Sequence, residues 1–228
     1  SGRTPVLTDL NFRLEEGKVT TILGPNGCGN TTLFRLLTRE LFPAKGNVYI
    51  RNRNIYGLER KDFARGVAIV QQHNTAAEDI TVEKLVSFGR TPHQKFYGGM
   101  ISGGQRQRVW IAMALAQEPK YLFLDEPTTF LDIRYQIQIL ELVRKLNREY
   151  GMTVVMVLHD INQAIAYSHK ILCMKQGRIL FSGTPEEVVT RECMRELYDI
   201  DMEVLTLGRY RHVLVESPGW KEDEEGTL

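Results

Sequence analysis

Val19-Thr20-Thr21-Ile22-Leu23-Gly24-Pro25-Asn26-Gly27-Cys28-Gly29-Asn30-Thr31-Thr32 joins a short β-rich run to a glycine loop, and the residues after it set Leu33, Leu36 and Leu37 at helical spacing. Strand, glycine loop and helix in this order predict backbone N–H groups converging on an anion, backed by a positive helix end. The loop fits G-x-x-x-x-G-[K]-[ST] at every position but one, where Asn30 stands in the place of lysine. Gly24, Pro25, Asn26, Gly27, Cys28, Gly29, Asn30, Thr31 and Thr32 are the candidate nucleotide-binding residues, with the Thr31 hydroxyl placed to meet Mg²⁺. An ordinary glycine turn before a helix is the competing reading of this stretch alone. An amide cannot replace the point charge of an ammonium, so a rate loss on the order of 10²- to 10³-fold is expected from Asn30. Cys28, close to a helix start, suits either a redox role or a small residue that fits the loop.

Two segments downstream decide against the plain turn. Ile101-Ser102-Gly103-Gly104-Gln105 opens a stretch, to about residue 116, that reads helical, so bare N–H groups again meet a helix start. Tyr121-Leu122-Phe123-Leu124-Asp125-Glu126-Pro127 is an apolar strand ending in two carboxylates, one for a metal and one for a water. The order SGGQ, short helix, LFLDEP resembles the nucleotide-binding subunits of ABC (ATP-binding cassette) transporters, and the likeness runs from Val6 to about Val215.

The resemblance implies an α/β fold of the P-loop ABC type, with a mostly parallel sheet flanked by helices. It implies ATP and Mg²⁺ as ligands, and ATP hydrolysis coupled to transport. Two subunits would pack head to tail, with Ser102, Gly103, Gly104 and Gln105 of one facing the ATP held by the loop of the other. Asp125 would hold Mg²⁺ through water, together with Thr31 and Gln72. Glu126 would act as general base. Gln72 matches the family's glutamine loop, His159 its switch histidine and Asp132, in Phe130-Leu131-Asp132, its D-loop. Partners would be a second ATPase subunit and multi-span permease subunits, with a substrate-binding protein beyond them, which places the chain at the cytoplasmic face of a membrane. Phe88-Gly89-Arg90-Thr91-Pro92-His93, Thr128-Thr129-Phe130-Leu131-Asp132 and Glu196-Leu197-Tyr198-Asp199-Ile200 look like importers of iron-siderophore, haem or cobalamin.

Bulk properties fit. With 43% hydrophobic and 25% charged residues among 228, the chain can bury one full core. A net charge of +1 gives no reason to expect nucleic acid. Three cysteines without metal spacing disfavour a disulfide framework and suit a reducing compartment. No apolar run is long enough to span a bilayer, so membrane work would need docking on a partner.

Further buried-strand runs are expected at residues 67–70, 121–124, 153–158 and 170–174, with an amphipathic helix carrying Ile133, Ile137, Leu140, Val143 and Leu146. Lys175-Gln176-Gly177-Arg178 reads as a hairpin turn. Thr184-Pro185-Glu186-Glu187 reads as a capped helix start, with one helix running to about Tyr198. The layout is a single ATPase domain, with a core at about 1–80 and 117–215, the remnant of a helical lobe at about 81–116, and a fraying tail at 216–228.

Two departures from the family stand out. No aromatic residue is assigned to stack on adenine. Only 30 positions separate Gln72 from Ser102, where the family has a helical lobe, and helical pattern is visible only at about 81–90. Either the lobe is truncated or the sequence closes over a segment of the intact protein. A nonhydrolytic ATP-binding regulator and a soluble ABC protein of translation or DNA maintenance remain as alternatives. A P-loop kinase or GTPase does not account for Ser102 to Gln105.

Overall fold

The computed structural model describes residues 5–71, 111, 119–207 and 210–215. Its elements are β1 (Val19–Leu23), α1 (Asn30–Leu37), β2 (Tyr49–Ile50), β3 (Arg53–Asn54), α2 (Arg60–Gly66), β4 (Val67–Val70), β5 (Tyr121–Asp125), α3 (Ile133–Tyr150), β6 (Thr153–Val157), α4 (Ile161–Tyr167), β7 (Lys170–Lys175), β8 (Arg178–Gly183), α5 (Pro185–Val188), α6 (Arg191–Tyr198), β9 (Met202–Leu207) and β10 (Tyr210–Val215). The main sheet has the order β4-β5-β6-β1-β7-β8. Its first five strands run parallel, and β8 returns antiparallel to β7.

A parallel sheet covered on both faces needs strands that are apolar throughout. All five residues of β1 and of β6 are buried. Successive side chains point to opposite faces, which divides the core in two. Leu122, Leu124, Val154 and Met156 pack with Leu140, Val143 and Leu197 on one face. On the other face Phe123, Val155 and Val157 pack with Leu33, Phe34 and Leu37 of α1. Phe34 meets Phe123 edge to face, with centroids 6.1 Å apart. Burying a ring this completely is worth roughly 1.5–3 kcal/mol, and it anchors the helix on which the glycine loop ends.

The expected strands all form, with Asp125 and Lys175 extending two of them and Leu158 left outside a third. The β7–β8 turn places Gln176 at φ 49° and Gly177 at φ 75°, the two left-handed residues that a tight hairpin with native twist requires. The capping box at Thr184 forms as read, with Glu187 donating its N–H to the Thr184 hydroxyl and returning a carboxylate to the Thr184 N–H.

Two expectations need correction, and one element was not foreseen. The apolar face of α3 consists of Ile139, Leu140, Val143 and Leu146, whereas Ile133 and Ile137 are exposed. At about 100° per residue Ile137 lies on the flank of that stripe, and Ile133 belongs to the first turn, at the helix end. The single helix expected up to Tyr198 is two. It breaks at Val189, and Thr190 starts α6 by accepting the Cys193 N–H at 3.2 Å, a local bond that β-branched Thr offers against continuing a helix. An unanticipated β9–β10 hairpin follows α6. Asn162 on α4 pins it, donating to the Val213 carbonyl at 3.2 Å and accepting the Val213 N–H at 2.9 Å. The expectations for the helix at 81–90, nearly all of the helix from 105, the abrupt junction before Ser102 and the tail fall outside the described residues.

Candidate functional site

Strand order concentrates chemistry at one edge. In open α/β sheets, ligands bind beyond the carboxyl ends of the strands. Here β6 lies between β5 and β1, with Val157 in register with both Ile22 and Asp125. The glycine loop therefore begins two residues past one partner of Val157, His159 follows Val157 by two, and Glu126 follows the other partner by one. Three sequence-distant segments meet because three neighbouring parallel strands end together.

The loop is packed tightly against β7. A Cβ on Gly24 would lie 2.2 Å from the Met174 carbonyl oxygen, and Gly29 has φ 101°, where a side chain would also meet Leu7 at 2.6 Å. Both positions demand glycine. Cys28 is 2% exposed. Its N–H donates to the Pro25 carbonyl at 3.1 Å, and its carbonyl accepts the Gly177 N–H at 2.8 Å. Burial raises the thiol pKa, outweighing the backbone N–H groups that lower it. The thiol is held neutral and packed, which favours the small residue that fits the loop over the redox reading.

Asn30 opens α1 and is buried. Its Oδ1 accepts the Thr31 N–H at 2.8 Å and the Thr31 hydroxyl at 3.4 Å. Thr31 is itself exposed and Thr32 half-buried.

Glu126 has φ 48°, a left-handed conformation that costs a non-glycine residue about 1–3 kcal/mol and is found where surroundings impose it. Its Oε1 lies 2.7 Å from His159 Nε2. The Thr129 hydroxyl donates to Oε2 at 3.2 Å, and the same turn is closed by the Thr129 N–H on the Glu126 carbonyl at 3.2 Å. The carboxylate is thus held from both sides with its side chain 13% exposed, while His159 is 39% exposed. An oriented carboxylate with an imidazole partner at the sheet edge is equipped to accept a proton from water.

Asp132 caps α3, its carboxylate accepting the Tyr135 N–H at 3.1 Å, which gives it a helix-starting role. Just before it Phe130 has φ 60° and is 88% exposed. Gln72, Ser102, Gly103, Gly104 and Gln105 lie outside the described residues.

For Mg²⁺ the donor set fits. Among the described residues no group of three or more His, Cys, Asp or Glu is arranged to hold a metal, so a cage made of such ligands is lacking there. Thr31 and Asp125 offer a hydroxyl and a carboxylate, the small hard-oxygen set with which Mg²⁺ combines phosphate oxygens and water.

Sequence reading assigned no site role to Thr129, Gln136 or Gln163. The Gln163 amide donates to Gln136 Oε1 at 2.6 Å, and the Gln136 amide donates to the Leu131 carbonyl at 2.8 Å. Asp160, next to His159, caps the same helix through the Gln163 N–H at 3.0 Å. A hydrogen-bonded chain therefore links the segment after His159 to the turn before Asp132. Glutamines within helices and a threonine in a polar turn carry no local signal of such roles.

Comparison with known proteins agrees with this geometry. Residues 7–129 match the family described as "ABC transporter". The iron(3+)-hydroxamate import ATP-binding protein FhuC of Bacillus subtilis (strain 168) is 40% identical over 232 residues, covering 90% of this chain and 86% of that protein. The ferric enterobactin transport ATP-binding protein FepC of Escherichia coli (strain K12) is 40% identical, with 87% and 83% covered. Among solved structures, the dimeric post-hydrolysis state of the ATP-binding cassette MJ0796, bound to ADP and Pi, superposes with a TM-score of 0.67 at 29% identity, covering 79% of this chain and 90% of that one.

Proposed function

Because this chain belongs to the ABC transporter family of ATP-binding proteins, we propose that it is the ATP-binding and ATP-hydrolysing subunit of an importer for an iron-siderophore chelate. The substrate class is supported by the names of its relatives, which import iron hydroxamates and ferric enterobactin. The hydrolytic reading is carried by one observation, the 2.7 Å contact between Glu126 and His159 at the ends of β5 and β6, on one side of the strand that leads into the glycine loop.

In this reading the loop residues from Gly24 to Thr32 bind the phosphates. Glu126 accepts the proton of the attacking water, and His159 and Thr129 hold its carboxylate in line. Thr31 and Asp125, with Gln72, would hold Mg²⁺, which supplies counter-charge to the outer phosphate oxygens when bound. Ser102, Gly103, Gly104 and Gln105 act on the nucleotide of a second copy, and Asp132 lies at the contact between copies. The dimeric cassette among the solved relatives supports that arrangement. Multi-span permease subunits receive the closure of the dimer at the cytoplasmic face of the membrane. Among the described residues no helix is long and apolar enough to cross a membrane. The domain is one ATPase unit whose core surrounds the sheet.

The test is reconstitution with candidate permease subunits, measuring ATP turnover with and without a binding protein loaded with ferric hydroxamate. Stimulation by the loaded binding protein is expected. ATP binding with no permease association, together with association with ribosomes, would move the chain to the soluble ABC proteins.

A further inference from the structure

The Asn30 carboxamide turns back onto its own helix, where Oδ1 accepts the Thr31 N–H at 2.8 Å and the Thr31 hydroxyl at 3.4 Å. A backbone N–H can only donate, so the atom facing it is the amide oxygen. The first N–H groups of a helix have no intrahelical partner, and behind a glycine loop they are the groups that hold a phosphate oxygen. The Asn30 oxygen therefore carries partial negative charge into the place of that phosphate oxygen. It also engages the hydroxyl that Mg²⁺ would need. Lysine has no acceptor atom and cannot make either contact.

We propose that Asn30 is an internal plug of the phosphate loop, its carboxamide oxygen competing with the nucleotide for the Thr31 N–H and hydroxyl. Nucleotide then binds only the fraction of molecules in which Asn30 has rotated away, and its apparent affinity falls by that fraction. The effect rests on the nucleotide-binding reading of the loop and adds to it a loss of affinity, separate from the rate lost with the lysine charge. The residue is 6% exposed, so a rotation that admits phosphate has to move its side chain within a packed surround.

The experiment is equilibrium titration of the full chain with a fluorescent ATP analogue in the presence of Mg²⁺, comparing the unchanged protein with Asn30→Ala and Asn30→Lys. Asn30→Ala removes the acceptor without adding charge. It is expected to tighten binding about 2- to 10-fold, the worth of one hydrogen bond, and to leave the affinity for adenosine, which has no phosphate, unchanged. If Asn30→Lys binds while Asn30→Ala binds no tighter than the unchanged protein, the plug is refuted and the nucleotide site stands. If all three are folded by circular dichroism and none binds, the nucleotide reading falls and the plug with it. Nuclear magnetic resonance on the unchanged protein covers the case in which Asn30→Ala does not fold. Saturating Mg²⁺ and ATP should shift the Asn30 side-chain amide signals, and signals that stay in place would overturn the proposal.

Discussion

Replacing Glu126 by Gln keeps the shape of the side chain and removes its basicity. In the folded chain its two oxygens are committed, Oε1 to His159 at 2.7 Å and Oε2 to the Thr129 hydroxyl at 3.2 Å, with only 13% of the side chain exposed. A glutamine fits that clasp, so the fold and the glycine loop should be undisturbed and ATP affinity retained. Loss of a positioned general base costs about 10²- to 10⁴-fold, or roughly 2.7–5.5 kcal/mol of barrier at 1.36 kcal/mol per decade. Because Asn30 is expected to slow the reaction, the comparison belongs on the Asn30→Lys background, with phosphate release read from the permease-bound complex. Thr129→Val on the same background removes one hydrogen bond to a charged carboxylate, worth about 1.5–3 kcal/mol, and should cost at most about 10- to 100-fold. The order matters more than either value. Turnover of Glu126→Gln within about threefold of its parent, or a larger loss in Thr129→Val, would show that Glu126 is not the base.

Asn30→Lys should raise turnover in the assembled complex by about 10²- to 10³-fold, since it restores a charge aimed at the outer phosphates; equal rates before and after would show that this position is not limiting. Acid sensitivity has a traceable source in Glu16. Hydrogen bonds from Arg51, at 2.8 and 2.7 Å, and from the Tyr121 hydroxyl lower its pKa from 4.5 to about 2. A depressed folded pKa contributes stability above the unfolded value of 4.5, and that contribution is lost as pH falls from there toward about 2. The pair is half-exposed, so screening limits it to about 1 kcal/mol, or about 2–4 °C in Tm. Glu16→Gln should therefore melt earlier than the parent at pH 7, with the difference shrinking between pH 5 and pH 3; a constant difference across that range would contradict the assignment.

Much of this fold is legible because a doubly covered sheet forces its strands to be apolar along their whole length. Residues 67–70, 121–124 and 153–158 announce themselves for that reason. What no run announces is that β6 inserts between β5 and β1, since pairing is decided by how the helices cover the two faces. The active edge follows the same division. Motif order marks Asp125, Glu126 and His159, yet the 2.7 Å contact exists only because β5 and β6 are neighbours. Thr129 gains no role from the sequence since a hydroxyl two residues after Pro127 resembles any turn residue. Ile133 and Ile137 mislead in the opposite direction, because helical spacing identifies a stripe but not how far the helix runs over the sheet.

Asn30 shows the limit most sharply. A pattern can state that an ammonium is missing, which is a statement about charge alone. The replacing group has chemistry of its own, and a carboxamide differs from alanine in bringing an acceptor to a nest of donors. The two kinds of loss are separable by experiment: the absent charge acts on the barrier and the acceptor acts on affinity. Asn30→Ala should therefore lower Kd without restoring turnover, while Asn30→Lys should change both. If the two substitutions moved Kd and kcat in the same proportion, the oxygen seen on Thr31 would have no energetic weight, and the asparagine would act as a missing lysine and nothing more.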